Sequence, residues 1–458
     1  MLELKEEQLE SILEKGIKQA KNIQLVSVTK KIPTNDPVSI FNAAKIMKKQ
    51  RSYWRSAEDN FTVVGVGSAF EIKTNKNTYQ ETDKQWNSIL RDAIIHNPFK
   101  NEGTGLVAIG GMSFDSKKEK TALWNNFDDS QFVIPEFVYV QNNVEAYLTI
   151  NVRVNGTEDV TNLSREIQLQ EDQLLTETVT AFKTNAIVSK TEVEPQQWKK
   201  TVQLATEEMK KSDVAKIVLA RELRVKLSKE AHIESIIQDL VNQQPNSYVF
   251  AFEYGEDCFI GATPERLVKK EKSQLLSTCL AGTAPRGKDV VEDEKIRKGL
   301  LNDKKNREEH DFVVQMIRKA ITPFARDIAI PDAPVVLQLK NMHHLYTPVT
   351  GIIKENSSLF DIVEKLHPTP ALGGTPKEEA LSFIREHELL DRGWYGAPIG
   401  WLDSNENGEF AVAIRSGLIQ KDEASLFAGC GVVADSNPEA EYEETNIKFT
   451  PMLSVLGG

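Results

Sequence analysis

One lysine lies inside an otherwise apolar segment of the chain. Within the stretch SDVAKIVLARELRV, the β-branched and apolar residues around Lys216 predict a β-strand. Alternate side chains of a strand share a face, so Lys216 points the same way as Val218 and Ala220. Two interpretations are open. The lysine reaches water from a solvated face or a strand end, or it lines a cleft and acts as a general base.

The C-terminal helix carries two carboxylates and an ammonium group on one face. Its start is indicated by Pro438, which suits the first helical position. Glu441, Glu444 and Lys448 then follow at spacings of i, i+3 and i+7. The pattern is either a solvated Glu444–Lys448 ion pair, or two carboxylates for a hard cation such as Mg²⁺ with a lysine beside them for an anionic ligand.

A second long helix, predicted over DKKNREEHDFVVQMIRKAITPFA, contains Glu308, Glu309 and His310. Its apolar stripe includes Phe312 and Val313, and Glu309 lies three and four residues before them, so this carboxylate borders the buried face. Glu309 is therefore either a residue at the rim of the core or a ligand. His310 has no second histidine at helical spacing, and we interpret it as a structural residue.

Glu265 follows a corner at the end of a predicted strand, in the stretch GATPERL. Pro264 restricts Thr263 to an extended conformation, so the glutamate is presented at a defined place. The stretches AGTAPRG and AGCGVV put small residues at strand ends, where the backbone can approach a ligand closely. None of these features is specific when it is taken alone.

The elements before the Lys216 strand are predominantly strands. Residues 1 to about 185 contain alternating or apolar runs such as YWRSAEDNFTVVGVGSAFEI and EFVYVQNNVEAYLTINVRV. The polar segment from Glu166 to Val193 predicts a helical connection. A further helix is predicted to begin near Pro195 and to lead into the Lys216 strand.

The elements after that strand alternate less regularly. A hairpin is predicted around the turn at residues 254–257, followed by a strand over SQLLSTCLAGTAPRG. Thr375 with Glu378 predicts a capping box at a helix start, and Ser436 or Asn437 is the expected N-cap of the C-terminal helix. Strands and helices without regular βαβ alternation indicate an α+β fold with antiparallel sheets.

Composition excludes some classes of function. The chain has 458 residues and a net charge of −11, whereas a sequence-independent nucleic-acid binder needs a basic face. The charged N-terminus lacks the apolar region of a secretory signal, and no run of about 18 apolar residues occurs. Cys258, Cys279 and Cys430 are too far apart to indicate a metal site or a disulfide framework. We expect a soluble cytoplasmic protein with no nucleic-acid or membrane partner.

Taken together and in order, these motifs resemble those of the chorismate-utilising enzymes. The family includes isochorismate synthase, salicylate synthase, anthranilate synthase component I and aminodeoxychorismate synthase component I. The resemblance runs from about Trp198 to Leu456, over half of the chain, and DPVSIF and YWRS look like weaker N-terminal landmarks. The ordered set is KIVLAR, GATPERL, AGTAPRG, REEHDFVVQMI, HHL, HPTPALGG, YGAPIG, FAVAIRS and AGCGVVADSNPEAEYEETNIK.

The resemblance implies a role for each candidate residue. Lys216 matches the general base that activates water to attack C2 of chorismate, and Glu265 matches the general acid that protonates the departing C4 hydroxyl. Arg415 and Tyr395 match residues that hold the enolpyruvyl carboxylate, and His344 matches an active-site histidine without an assigned role. The implied Mg²⁺ ligands are Glu309 and Glu444, with Glu308 and Glu441 as nearby carboxylates. The further implied substrate contacts are Lys448 and the backbone at Gly282, Thr283 and Gly429.

Two positions discriminate within the family. The ammonia-using relatives typically carry Gln where this chain has Lys216, and the position of Ala371 tends to be Ala in isochorismate synthases and Thr in the other relatives. The tryptophan-binding motif of the aminating enzymes is absent, so no glutamine amidotransferase partner is expected. The resemblance implies Mg²⁺-dependent conversion of chorismate to isochorismate, most in keeping with menaquinone biosynthesis. The alternatives are a salicylate synthase, an isochorismate synthase of a siderophore pathway, and a non-catalytic chorismate-binding protein.

The resemblance also implies the fold. Two antiparallel β-sheets are expected to pack as a sandwich with helices outside, and the active site is expected in a cleft lined by C-terminal strands and helices. Residues 1–190 are expected to form a strand-rich subregion packed into the same unit as the chorismate-binding catalytic region, residues 191–458.

Overall fold

The computed structural model describes residues 6–20, 22–58, 60–76, 78–176, 185–338 and 342–457. Within these residues the helices are α1 (Glu6–Gln19), α2 (Pro37–Ile46), α3 (Thr78–Asp92), α4 (Val160–Thr176), α5 (Pro195–Met209), α6 (Ile233–Gln243), α7 (Val290–Asn302), α8 (Lys304–Ile321), α9 (Leu359–Leu366), α10 (Lys377–His387) and α11 (Pro438–Val455). The strands are β1 (Gln24–Ile32), β2 (Arg51–Arg55), β3 (Thr62–Val66), β4 (Phe70–Thr74), β5 (Ile94–His96), β6 (Val107–Met112), β7 (Ser130–Ile134), β8 (Phe137–Gln141), β9 (Ala146–Val154), β10 (Ile187–Glu192), β11 (Lys216–Leu227), β12 (Tyr248–Tyr254), β13 (Asp257–Thr263), β14 (Arg266–Glu271), β15 (Gln274–Pro285), β16 (Ala325–Ala329), β17 (Val335–Gln338), β18 (Met342–Ile353), β19 (Gly374–Thr375), β20 (Pro398–Asp403), β21 (Gly408–Val412), β22 (Ser416–Gln420) and β23 (Glu423–Val432).

These strands form two sheets. In the described part of the chain the first sheet has 13 strands in the order β10-β11-β23-β22-β13-β12-β2-β3-β8-β9-β1-β5, with β19 also paired to β11. The second sheet has ten described strands in the order β16-β18-β15-β14-β21-β20-β6-β7-β4, with β17 also paired to β18. Each sheet contains strands from both sides of residue 190. The boundary at that residue stays a prediction.

The two sheets face each other across an aromatic core. Trp54 and Phe250 of the first sheet and Trp401 of the second belong to one buried cluster, together with Trp124 and Trp394 from connecting segments. Burying one large apolar side chain contributes about 1.5–3 kcal/mol, so this layer holds the sheets together. The expected sandwich is confirmed.

Helices cover the outer faces of both sheets. Helices α1, α2, α6 and α11 pack against β1, β2, β12 and β23 of the first sheet, and α3, α8 and α9 pack against β4, β15 and β14 of the second. No helix in the described residues is long and apolar enough to cross a membrane.

Two of the places where the chain passes from one sheet to the other are adjacent. The first passage, between β13 and β14, contains Glu265, and the second, between β21 and β22, contains Arg415. The passages are hydrogen-bonded to their neighbours: the Val412 N–H donates to the Glu265 carbonyl at 3.0 Å, and the Ala262 N–H donates to the Arg415 carbonyl at 3.1 Å. The fold therefore places a carboxylate and a guanidinium group side by side where the sheets meet.

Several local predictions are confirmed. Helix α5 begins at Pro195, and β12 and β13 form the expected hairpin. Asn437 is the N-cap of α11, and its side chain accepts hydrogen bonds from the backbone N–H groups of Glu439 and Ala440. These features depend on residues close together in the sequence.

Two local predictions are wrong. In the segment from Glu166 to Val193, α4 is described up to Thr176, residues 177–184 lie outside the described residues, and Ile187–Glu192 forms the strand β10 where a helix was predicted. The polar side chains of β10 are mostly exposed because this strand lies at the edge of the sheet, beside β11. Thr375 does not cap α10: it pairs with Lys216 in β19, and α10 has no side-chain cap.

Candidate active site

Lys216 is the first residue of β11, and its side chain lies over a glycine of the neighbouring strand. In the register of β11 and β23, Val218 is opposite Gly431. A Cβ atom on Gly431 would lie only 2.5 Å from the Lys216 Cε atom, so the glycine leaves the space that the lysine occupies. The Nζ atom donates to Glu309 Oε1 at 3.0 Å, and 24% of the side chain is exposed. The lysine is thus at a strand end, but it is held by a carboxylate.

Glu265 stands in the first passage between the sheets. Burial raises the pKa of its carboxyl group to about 7, and the positive charges of Arg415 and Lys216 oppose this shift. Loss of hydration disfavours the charged form of a carboxyl group, which explains the direction. Near neutral pH, a substantial fraction of Glu265 is therefore protonated and able to donate a proton.

Arg415 interacts electrostatically with Tyr395, Glu265 and Glu444. Burial lowers the pKa of its guanidinium group, and these interactions oppose the shift. Arg415 has a φ of +53°, a backbone conformation that residues other than glycine rarely adopt, and the chain turns at this point. Tyr395 is buried and packs on the ring of Phe427 with 5.4 Å between centroids. Its burial raises the pKa of its hydroxyl to about 12.

His344 belongs to the second sheet and pairs directly with Thr283. The Thr283 Oγ1 and His344 Nδ1 atoms are 2.9 Å apart. Burial, and then the charges of Arg415, His343 and Lys448, lower the pKa of His344 to about 4. Next to this pair, Gly282 has a φ of +80°, and the register of β15 shifts there, as in a β-bulge. The neutral imidazole of His344 therefore lies near the positive charges of Arg415 and Lys448.

Helix α11 contributes Glu444 and Lys448. The Lys448 Nζ atom donates to Glu444 Oε1 at 2.6 Å and to the Gly429 carbonyl at 2.9 Å. About half of the Glu444 side chain is exposed, at 51%. Glu441, one turn earlier, accepts a hydrogen bond from the Ser436 hydroxyl at 2.7 Å. The ion pair considered from the sequence is present, and it points toward the strand that carries Gly429.

The two glutamates at the start of α8 have different surroundings. Glu309 pairs with Lys216, whereas Glu308 is exposed and lies 3.7 Å from Lys304 on its own helix. Asn306, three residues before Glu309, has its side chain close to Gly282. Residues three apart share a helix face, so Asn306 and Glu309 lie on the same face of α8. The structure does not bring Glu308 into this group.

The carboxylates fit a Mg²⁺ ion that is bound partly by the protein. In the described residues, no group of three or more His, Cys, Asp or Glu side chains is close enough to hold a metal ion. However, Mg²⁺ is usually bound by one or two carboxylates, together with waters and substrate oxygens. Glu309 and Glu444, on helices α8 and α11, are both half-exposed and each is neutralised by one lysine. These are the residues that would hold the ion.

Ala371 lies in the loop before β19 and is exposed. The loop is tied to the Lys216 strand, because the Val218 N–H donates to the Gly373 carbonyl at 3.1 Å. Gly374 has a φ of +122°, and a Cβ atom there would lie 2.1 Å from the Lys216 carbonyl oxygen. Only glycine permits this close approach of the two backbones.

The sequence analysis missed two residues of this site. Gly431 gives room to the lysine, and Asn306 faces the bulge at Gly282. Both carried a signal, since Gly431 lies in the AGCGVV stretch and Asn306 stands one helical turn before Glu309. Ion pairs and electrostatic interactions link one set of the groups that the motifs singled out, namely Lys216, Glu265, Glu309, His344, Tyr395, Arg415, Glu444 and Lys448. Glu308 and Glu441 instead contact Lys304 and Ser436.

Comparisons with known proteins show the family and the fold of the chain. The sequence profile of the family described as "Chorismate binding enzyme" matches residues 8–457. The chain belongs to the chorismate-binding enzyme family. The match covers almost the whole chain, so the N-terminal strands belong to it together with the residues of the site.

Named relatives cover the chain at similar length. The chain is 40% identical to "Isochorismate synthase MenF" of Bacillus subtilis (strain 168), over 96% of this chain and 95% of that protein. It is 32% identical to "Salicylate biosynthesis isochorismate synthase" of Pseudomonas aeruginosa, over 98% of this chain and 95% of that protein.

Solved structures show the same fold. The menaquinone-specific isochorismate synthase MenF of Escherichia coli superimposes with a TM-score of 0.80, at 22% identity, over 98% of this chain and 99% of that one. A putative 2,3-dihydroxybenzoate-specific isochorismate synthase, DhbC of Bacillus anthracis, superimposes with a TM-score of 0.70, at 28% identity, over 91% of this chain and 99% of that one.

Proposed function

We propose that the protein is an isochorismate synthase that converts chorismate to isochorismate with Mg²⁺. The observation that carries the proposal is the convergence of Lys216 and Glu265, two groups of opposite acid–base character, on one region of the sandwich. The relatives with full-length similarity carry isochorismate synthase in their names. Reactions that add water and remove hydroxide need a base and an acid in one pocket, with environments that separate their protonation states.

The chemistry assigns one step to each group. Lys216, in its neutral amine form, accepts a proton from water and becomes an ammonium group as the water oxygen forms a bond to C2 of chorismate. The ring double bonds shift, the bond from C4 to its hydroxyl oxygen breaks, and Glu265 donates the proton that makes water the leaving group. The raised pKa of Glu265 supports this role, because the acid must be protonated near neutral pH.

Chorismate carries two carboxylates, and they would meet different groups of the site. Arg415 and Tyr395 suit the enolpyruvyl carboxylate, since a guanidinium group binds a carboxylate with two hydrogen bonds. The ring carboxylate would lie near Glu309 and Glu444, which would repel it. A bound Mg²⁺ ion supplies the positive charge that removes this repulsion and orients the ring. Lys448 and the backbone near Gly429 complete the contacts.

Lys216 together with Ala371 favours isochorismate over salicylate as the product. Salicylate synthase is the alternative within the family. We place the protein in menaquinone biosynthesis, in keeping with its full-length similarity to the Bacillus subtilis protein named MenF. Water rather than ammonia is the proposed nucleophile, so no amidotransferase partner is needed. We propose the cytoplasm as its compartment, consistent with buried free thiols at Cys258, Cys279 and Cys430.

Product analysis tests the proposal. Purified protein is incubated with chorismate and Mg²⁺, with and without ammonium, and the products are separated by chromatography. We expect isochorismate without stoichiometric pyruvate under both conditions. Salicylate and pyruvate as main products would move the protein to the alternative, and anthranilate formed with ammonium would reject both.

A further inference from the structure

We propose that a buried ion pair, Glu388–Arg392, is the positioning device that holds the Lys216 strand against the loop that carries Ala371. The proposal rests on the proposed function, because it concerns the geometry of the base in that reaction. Neither residue is assigned to acid–base chemistry or to substrate contact.

The pair fills a gap in the edge of the first sheet. On one side of β11, β19 pairs only with Lys216 and Ile217, and β10 pairs only from Leu223 onward. Within the described residues, the Val218 carbonyl and the backbone groups of Ala220 have no strand partner on this side, and the Val218 N–H donates to the Gly373 carbonyl of the loop before β19. Unpaired buried backbone groups are costly, so other groups must satisfy them.

Side chains take the place of the missing strand. Arg392 Nη2 donates to the Val218 carbonyl at 2.7 Å, and the Ala220 N–H donates to Glu388 Oε2 at 2.7 Å. The Trp198 indole N–H donates to the Ala220 carbonyl at 3.1 Å. Two of these three bonds come from the ion pair, and they lie two and four residues from Lys216.

The pair is nearly inaccessible and well formed. The side chains of Arg392 and Glu388 are 3% and 1% exposed. Arg392 Nε donates to Glu388 Oε1 at 2.6 Å, and Arg392 Nη2 donates to Glu388 Oε2 at 2.8 Å. The guanidinium group also lies over the Phe114 ring in a cation–π contact, 4.2 Å from the ring centroid. A planar guanidinium group can serve several acceptors in fixed directions, which an ammonium group cannot.

Arg392 connects three parts of the site. Its Nη1 atom donates to the Leu372 carbonyl at 2.9 Å, one residue after Ala371. Its own carbonyl accepts from the Tyr395 N–H at 2.8 Å. The Arg392 side chain therefore bridges the Lys216 strand and the Ala371 loop, in addition to the backbone bond from Val218 to Gly373, and the Arg392 carbonyl bonds the segment that carries Tyr395. A small displacement of a reacting group is enough to slow a reaction substantially.

The chain offers a matched control. Arg51 is 4% exposed and forms a buried ion pair with Glu253 and Glu234. It lies over the Phe41 ring at 4.1 Å, as Arg392 lies over Phe114. None of its partners belongs to the candidate active site. Replacing either arginine should destabilise the fold to a similar degree, because each leaves a buried carboxylate with a poorer partner.

The experiment compares Arg392→Lys, Glu388→Gln and Arg51→Lys with the wild-type protein. Thermal unfolding gives the stability, kcat and KM are measured per folded protein, and hydrogen exchange is followed at peptides that cover residues 216–222. We expect Arg392→Lys to lower kcat by about 10- to 100-fold with KM close to the wild-type value, and to speed exchange over residues 216–222. Glu388→Gln keeps an acceptor for the Ala220 N–H and should lose less activity. Arg51→Lys should lower the melting temperature while kcat and this exchange stay unchanged.

Two outcomes would overturn the proposal. One is a folded Arg392→Lys or Glu388→Gln protein with wild-type kcat and exchange. The other is an equal loss of kcat in Arg51→Lys, which would make the effect one of general stability. If the wild-type protein forms no isochorismate, the proposed function fails, and the exchange contrast between the arginine variants still decides whether the pair holds the strand.

Discussion

At the scale of single residues, the environment of the proposed acid differs from that of the proposed base. Glu265 is held among protein groups where the sheets meet, and burial raises its pKa. Lys216 keeps a carboxylate partner, Glu309, and partial access to solvent. The proposed roles follow from this contrast, since an acid must be protonated and a base must reach the attacking water.

Replacing Lys216 with alanine should lower kcat by about 10² to 10⁴-fold, the usual contribution of a general base. Lys226→Ala is the control, because Lys226 lies on the same strand but is 43% exposed and pairs with Asp422. Steady-state kinetics of both variants check the prediction. Near wild-type turnover in Lys216→Ala would contradict the proposed role of Lys216 and favour the interpretation of a solvated lysine at a strand end.

Glu265→Gln should abolish activity and stabilise the protein at alkaline pH. The folded-state pKa of about 7 lies above the ordinary value of 4.5, so the wild-type protein loses stability as pH rises through this interval, and the glutamine variant does not. The difference in melting temperature between variant and wild type should be small at pH values near 4.5 and larger above 7. An equal difference at both ends of this range would contradict the assigned pKa.

At the scale of elements, one face of β23 leaves space for the Lys216 side chain of β11. Gly429 and Gly431 alternate with Cys430, whose side chain packs in the core on the other face. The absence of side chains at the two glycines leaves a shallow strip in which Lys216 and the Tyr395 hydroxyl lie. The site therefore requires the two glycines of the AGCGVV motif, because larger residues there would occupy this space.

Gly431→Ala should displace Lys216 and lower kcat while the protein stays folded, because the atom that it meets is near the flexible end of a lysine. Gly299→Ala on α7 is the matched control, since no atom lies within 4 Å of the added Cβ. Alanine in a helix interior is favoured over glycine by about 0.5–1 kcal/mol, so the control should be fully active and equally or more stable. Kinetics and thermal unfolding distinguish the two outcomes. Full activity of Gly431→Ala would show that the lysine position is not critical.

At the scale of the whole molecule, the site lies between the two sheets, and each sheet is covered by its own helices. Helix α8 packs on β15 and β18 of the second sheet, and α11 packs on β23 of the first. Glu309 and Glu444 thus approach the site from opposite layers. A cation bound by both would link the two halves of the sandwich.

Mg²⁺ should raise the melting temperature of the wild-type protein, because a ligand that binds only the folded state stabilises it. Activity should be lost with a chelator and restored by Mg²⁺. In Glu444→Gln both responses should be weak, whereas Glu443→Gln, at an exposed neighbouring position on α11, should behave like the wild type. Full activity of the chelated protein would reject the metal assignment.

The sequence determined the features that depend on neighbouring residues. The hairpin of β12 and β13 and the cap of α11 at Asn437 follow from turn and cap residues within a few positions. The ordered motifs also determined the family, and Lys216 with Ala371 favoured isochorismate as the expected product.

Only the tertiary structure decided the features that depend on distant segments. Thr375 joins a strand instead of capping a helix because Lys216 offers it a backbone partner, and Ile187–Glu192 forms β10 because β11 has a free edge there. Asn306, rather than Glu308, shares a face of α8 with Glu309, and its side chain lies close to Gly282 of the second sheet. The protonation of Glu265 is decided in the same way, since its pKa depends on burial that arises only when both sheets come together.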